Sequence, residues 1–272
     1  MIAVSIDGEL VAPETASISV FDRGVLYGDG LFEVLRTWHG VACDLDAHLD
    51  RLYASAHALE LRAMPREQLA DSVRRAIAAA GPGDHRVRIV LTRGPGALAT
   101  RLAELGPGRA IAIVEPLPPR PRELSVATIE LPLSRGAGHK TLAYLEHVLA
   151  RELAAAAGAD EAVRLDAGGA VAEGATCNLF AVTRGVVATP ALAGGALPGV
   201  TRAHVLGCCL RLAIPARETA ISLAELCAAD ELFATSALRG VVPITRLDGE
   251  ARVAGPVTAR LATAYDEIFR VS

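Results

Sequence analysis

Lysine is almost absent from this chain: of its 27 basic residues 26 are arginine, and Lys140 is the single exception. Long apolar runs are missing too. Arg, Asp, Pro or Gly breaks each one well short of the roughly 20 residues a membrane span requires, so no membrane partner is expected. Cysteine is limited to Cys43, Cys177, Cys208, Cys209 and Cys227, an odd number with no CxxC spacing and one adjacent pair, which suits reduced thiols in a cytoplasm. The opening MIAVSIDGEL has no basic segment ahead of an apolar one, so no signal peptide and a cytoplasmic location are expected. Positive charge is not in excess, since 31 acidic residues against 27 basic ones leave a net charge of −4. That balance gives no electrostatic footprint for nucleic acid or an anionic membrane, and points instead to a small-molecule partner.

What is present is enough for a large core. The chain has 272 residues, 51% of them hydrophobic and 21% charged, which argues against disorder and suits two domains or one large one. An Ala-, Gly- and Arg-rich composition is what a GC-rich genome produces, with Arg replacing Lys wherever only charge is wanted. A lysine that survives such replacement marks a position where Arg cannot serve. Arg keeps its proton near neutral pH, whereas a desolvated Lys loses it and becomes a nucleophile or base.

Turn and period signals divide the chain. Asp7-Gly8 sits between short apolar runs at 2–7 and 9–12, as in a hairpin. Helical spacing covers 45–62 and 65–80, and Gly81 stops the second run. In 86–94 Val87, Ile89 and Leu91 alternate against Arg86, Arg88 and Thr92, a strand with two arginines on one face. A strand at 110–115 precedes EPLPPRPRE, whose prolines make a stiff connector over 116–123 between a domain at 1–115 and one at 124–272. The second part reads as a strand at 124–131, the loop SRGAGHK, a long helix at 141–157, strands at 161–166, 169–174 and 177–183, and a loop feeding a helix at 197–212. Ser222 and Glu225 have capping-box spacing. Strands at 231–235 and 241–246 and a helix from about 256 follow. Two α+β domains with a cleft between them are expected.

Three features suit one ligand. Lys140 stands at a loop-to-helix junction behind Gly136 and Gly138. LPGVTR (197–202) presents backbone N–H groups at a helix N-terminus, with Gly199 and Thr201 there, a setting that favours phosphate. Glu173 lies in the small-residue strand AVAEGATCNLF, where a carboxylate requires a cation or water. Taken singly these are an ordinary solvated Lys, a helix cap and a surface Glu.

Their wording is more specific. EGATCNLF (173–180), Thr189 and LPGVTR resemble the signature of the class IV, fold type IV pyridoxal-phosphate enzymes: branched-chain aminotransferases, D-amino-acid aminotransferases, (R)-amine transaminases and 4-amino-4-deoxychorismate lyases. YGDGLFEVLR (27–36), HLDRL (48–52), HKTLAYLEHVLA (139–150) and FATSALRGVVPI (233–244) extend the resemblance over nearly the whole chain. It implies a two-domain α+β fold, with a small N-terminal α/β domain and a larger, barrel-like C-terminal one.

The resemblance also implies roles. Lys140 would hold pyridoxal 5'-phosphate as a Schiff base and then shuttle the substrate proton. Glu173 would keep the pyridine nitrogen protonated. Arg51 would clamp the phosphate, helped by Gly199, Val200, Thr201 and the Ser236-Ala237 turn. Leu197 would pack on the ring, Tyr144, one helical turn past Lys140, would approach it, and Asn178 would brace the site. Tyr27, Phe32, Val34, Arg36, Arg88, Leu98 and Arg101 would line the substrate pocket, Leu98 and Arg101 across a homodimer interface.

Departures bear on the substrate. Lyases often carry Thr where this chain has Val34, while GDGLFE and SALRGVVPI read much like lyase sequences. TRGPGALATR places Leu98 where D-amino-acid aminotransferases have a carboxylate-binding Arg, leaving Arg88, Arg36 or Arg101 for that task. Branched-chain enzymes have an Arg near Arg88, but the Tyr two residues before it is Arg86 here. The expected activity is transamination of a D-amino acid, with a specificity relaxed towards (R)-amines, using 2-oxoglutarate or pyruvate. The alternatives are aminodeoxychorismate lyase, branched-chain aminotransferase and a non-catalytic phosphate-binding protein.

Overall fold

The computed structural model describes residues 1–131 and 138–269, so Gly136 lies outside the described residues. The chain forms two compact units, the first of Met1–Pro119 with His139–Tyr144, the second of Arg120–Gly138 with Leu145–Ser272.

In the first unit the strands are β1 (Ala3–Ile6), β2 (Glu9–Val11), β3 (Gly30–Trp38), β4 (Val41–Ala42), β5 (His85–Thr92) and β6 (Ala110–Pro116). The helices are α1 (Arg23–Tyr27), α2 (Leu45–Ala58) and α3 (Arg66–Ala80). The strands form one antiparallel sheet in the order β2-β1-β6-β5-β3-β4. Asp7 and Gly8 both have positive φ, 51° and 92°, which makes the tight β1–β2 turn. Alternation sorts the two faces of the sheet: Leu31, Leu35, Val87, Ile89 and Leu91 pack with Leu49, Leu52, Leu69 and Val73 of α2 and α3 in one core.

The second unit contains β7 (Leu124–Ile129), α4 (Leu145–Ala156), β8 (Glu161–Leu165), β9 (Val171–Gly174), β10 (Asn178–Thr183), β11 (Val186–Pro190) and α5 (Val200–Arg211). It is completed by β12 (Ala216–Thr219), α6 (Leu223–Ala228), β13 (Glu231–Ser236), β14 (Gly240–Leu247), β15 (Glu250–Ala251) and α7 (Pro256–Ile268). Its mixed sheet runs β12-β11-β10-β13-β14-β7-β8-β9, with β15 against β14. Strands β7 and β8 are parallel, so the chain crosses over between them, and α4 lies in that crossover. Small side chains let α4 approach closely: Ala150 and Ala154 pack with Ala127, Ala162 and Ala175. Ser222 and Glu225 do form a capping box, at the start of α6. The cysteines are all free thiols. Among the described residues no helix is long and apolar enough to cross a membrane.

Two expectations from helical spacing need correction. Helix α2 ends at Ala58 rather than 62, because Glu60 turns with φ 51° and the Leu61 N–H bonds back to Ala56 O at 2.8 Å. Helix α4 starts at Leu145 rather than 141. The preceding residues pair with the start of β3, through a bridge from Thr141 to Leu31 and a 2.9 Å bond from Leu142 N–H to Gly30 O. That pairing is why His139–Tyr144 counts with the first unit.

Candidate active site

Lys140 is in this extended segment, and its carbonyl accepts from the Phe32 N–H at 2.8 Å. Its Nζ stands 4.4 Å from the centroid of the buried Phe32 ring and 5.8 Å from that of Tyr144. Tyr144 meets Phe32 edge-on, at 5.1 Å and 90°. It does so from the extended segment, not from a helical turn past the lysine.

Phe32, Val34 and Arg36 share the sheet face away from α2 and α3, and the register sets Val34 opposite Arg88 and Arg36 opposite Arg86. The two arginines of β5 then part company. Arg86 pairs with Glu115. Arg88 has no ion pair among the described residues, and its guanidinium lies 4.1 Å from the Phe32 ring centroid. Burial works against its charge and lowers its pKa. One aromatic ring thus carries the amine of Lys140 and an uncommitted cation. Arg36 lies over Trp38 at 5.1 Å and donates to Thr37 O. Tyr27 is half-exposed beneath Arg23, and Leu98 and Arg101 are exposed in the β5–β6 connection.

Arg51 projects from α2 onto the opposite, helix-packed face. There it meets the fully buried Glu33, which is also 2.8 Å from His48 Nδ1. Burial pushes the Glu33 carboxyl up, but the bonds from His48 and Arg51 outweigh it and hold the pKa at about 2. Glu33 and His48 carried no role in the sequence reading, although His48 opens the HLDRL motif.

In the second unit Glu173 and Asn178 hold the two ends of one residue. The Leu197 N–H donates to Glu173 Oε2 at 2.8 Å, and Asn178 Nδ2 donates to the Leu197 carbonyl at 2.9 Å. Gly199 caps α5, and an added Cβ there would lie 2.0 Å from Asn178 Oδ1, so a side chain at this position would displace the Asn178 amide. Helix α5 has no side-chain cap and no acid in its first turn, which leaves the positive end of its dipole to an anion at Val200 and Thr201. Arg202, in the same turn, is buried and paired with Glu218 at 2.6 Å, fixing the turn to β12. Ser236 ends β13 and Ala237 begins the turn into β14; beside them the buried Thr235 hydroxyl has no hydrogen-bond partner among the described residues. Thr189 bonds Leu179 O at 2.8 Å and so braces β11 on β10. Arg239, also without a role in the sequence reading, bonds Thr176 and the buried Glu161.

Comparison with known proteins gives a consistent picture. The family model for amino-transferase class IV matches residues 30–247. A putative branched-chain-amino-acid aminotransferase of Methanocaldococcus jannaschii is 34% identical over 97% of this chain and 96% of its own. A D-alanine aminotransferase of Bacillus licheniformis is 30% identical over 96% of this chain and 95% of its own. The crystal structure of a branched-chain aminotransferase from Thermoproteus uzoniensis with norvaline superposes with a TM-score of 0.93 at 32% identity, covering 98% of this chain and 94% of that one.

Proposed function

Because the chain belongs to the class IV aminotransferases, with their two-unit α+β fold type IV architecture, we propose that it moves an amino group between an α-amino acid and an α-keto acid, with Lys140 as its central catalytic residue. The observation that carries this reading is the Phe32 platform, where Lys140 Nζ and the Arg88 guanidinium, without an ion pair among the described residues, lie 4.4 and 4.1 Å from one ring centroid.

The family's cofactor is pyridoxal 5'-phosphate, and the residues present fit it. A single lysine offers the amine for its aldehyde. Glu173 offers a carboxylate for its ring nitrogen. The start of α5, the Thr201 hydroxyl, Ser236 and the Thr235 hydroxyl, which has no partner among the described residues, offer donors for its phosphate. When bound, the cofactor supplies an electron sink that makes the substrate Cα–H acidic. The protein residues do the rest. With the cofactor bound, Lys140 would take the proton from Cα and return it on the cofactor side, Glu173 would keep positive charge on the ring nitrogen, and the Arg51 guanidinium and the start of α5 would each offer charge or donors to the phosphate. Arg88 binds the substrate carboxylate, the one group that every amino acid and keto acid shares.

For the donor we favour an aliphatic amino acid of branched-chain type. Leu98 supplies no cation where D-amino-acid enzymes carry one, and the relative with 34% identity is a putative branched-chain enzyme. The D-amino-acid reading keeps support from the D-alanine aminotransferase at 30% identity. A homodimer is part of the proposal, since α4 turns Leu145, Val148, Leu149 and Leu153 outwards as an apolar stripe suited to a second copy.

The deciding experiment mixes cofactor-loaded protein, without acceptor, with L-leucine, L-norvaline, D-alanine or D-glutamate and follows the visible absorbance. Loss of the band with the L-amino acids supports the first reading, and loss only with the D-amino acids the second. Pyruvate release from aminodeoxychorismate, with none of the four active, identifies a lyase. Protein that takes up no cofactor sinks all three.

A further inference from the structure

We infer that His139 is a positioning residue for Lys140: bonded to Ser55 of α2, it fixes the start of the segment that carries the lysine and so sets where the amine stands over Phe32. The inference rests on Lys140 being the cofactor-bearing residue.

The chain passes from one unit to the other between Gly138, whose φ is +95°, and His139, and passes back between Tyr144 and Leu145. Six residues are therefore held in the first unit by their own contacts. From Lys140 onwards these are dense: the Lys140 carbonyl on Phe32 N–H, the Thr141–Leu31 bridge and the Leu142 N–H on Gly30 O. Packing is close as well, for a Cβ on Gly28 would lie 3.0 Å from the Ala143 backbone and one on Gly30 2.6 Å from the Leu142 side chain. Ahead of the Lys140 carbonyl, the anchor is the 3.0 Å contact between His139 Nδ1 and Ser55 Oγ.

The anchor point is rigid. Ser55 is 6% exposed and lies on the same face of α2 as His48 and Arg51, both bound to Glu33. Helix α2 is thereby tied to β3, and β3 carries Phe32. A lysine side chain has four rotatable bonds, so the aim of its amine depends on the backbone from which it starts. An error of about 1 Å at a reacting group costs about 100-fold in rate. His139 restrains the backbone at the N-terminal end of the segment, ahead of the residues that pair with β3.

The test compares the parent with His139→Ala, Ser55→Ala, the double variant and His139→Asn, whose amide can replace the ring nitrogen. Each protein is loaded with pyridoxal phosphate, and its cofactor dissociation constant, the pH midpoint of its visible absorbance and its melting temperature are measured. The parent is also reduced with borohydride and the labelled residue mapped. We expect each single variant to weaken cofactor binding about fivefold and to move the pH midpoint by a similar amount. The double variant should lose no more than a single one, and His139→Asn should regain most of the loss. Losses that multiply in the double variant, or a melting temperature that falls while affinity and midpoint stay at parent values, would overturn the inference. A parent labelled elsewhere than Lys140 would instead overturn the reading beneath it, and the inference with it.

Discussion

Glu33 and Arg51 meet through two charge-assisted bonds, Oε1 to Nε at 2.7 Å and Oε2 to Nη2 at 2.6 Å, with the carboxylate fully buried. The folded pKa of Glu33, about 2, lies below the usual 4.5, so its stabilising effect is complete above pH 4.5 and is lost as pH falls towards 2. A shift of that size corresponds to about 3 kcal/mol. Glu33→Gln should therefore lower the unfolding free energy at pH 7 by about that amount. It should also flatten the acid limb of stability against pH in urea titrations. A variant that keeps the parent's limb would show that other carboxylates set it.

The approach of Gly199 to Asn178 gives a second outcome. Gly199→Ala puts a Cβ where Asn178 Oδ1 stands, so the amide must swing away and release the Leu197 carbonyl. Glu173 alone then holds that turn. Cofactor affinity should fall about tenfold, the equivalent of one or two lost bonds. Gly207→Ala, in the same helix with open space around it, should leave affinity unchanged and raise stability by about 0.5–1 kcal/mol. Equal effects from both substitutions would remove the special status of Gly199.

Local signals were legible in the sequence and long-range ones were not. The Asp7-Gly8 turn and the Ser222–Glu225 capping box each close within four residues, so the chain announces them. Lys140 stood out because composition had removed its competitors. Thr141–Tyr144, by contrast, has helix-compatible composition, and only the open backbone groups of β3, over a hundred residues earlier, draw it into an extended form. Strand β12, ARET, has no apolar alternation and forms by parallel pairing with β11. Glu33 reads as one polar residue in an apolar run, and its partners His48 and Arg51 lie 15 and 18 residues on, in another element.

Leu145, Val148, Leu149 and Leu153 recur at helical spacing on α4 with exposures of 68, 47, 46 and 50%. Four large apolar side chains on one face are costly to leave in water, each worth about 1.5–3 kcal/mol if fully buried. Leu149→Glu should halve the mass seen by light scattering at micromolar concentration and leave the far-ultraviolet circular dichroism unchanged. A parent that is already monomeric would refute the homodimer.

Arg88 is the test of substrate recognition. Arg36 is engaged with Trp38 and Thr37 O, and Arg86 with Glu115, whereas the Arg88 guanidinium shares the Phe32 ring with Lys140. A charge-assisted bond to a carboxylate contributes about 1.5–3 kcal/mol, or roughly 10- to 100-fold in affinity. Arg88→Gln should accordingly raise KM for both amino acid and keto acid within that range, with a smaller change in kcat and little change in melting temperature. Turnover of an amine without a carboxylate should not respond. Arg101→Gln separates the remaining candidate: if it raises KM more than Arg88→Gln does, the carboxylate belongs to the β5–β6 connection, and the selectivity for α-amino acids comes from that loop rather than from the sheet.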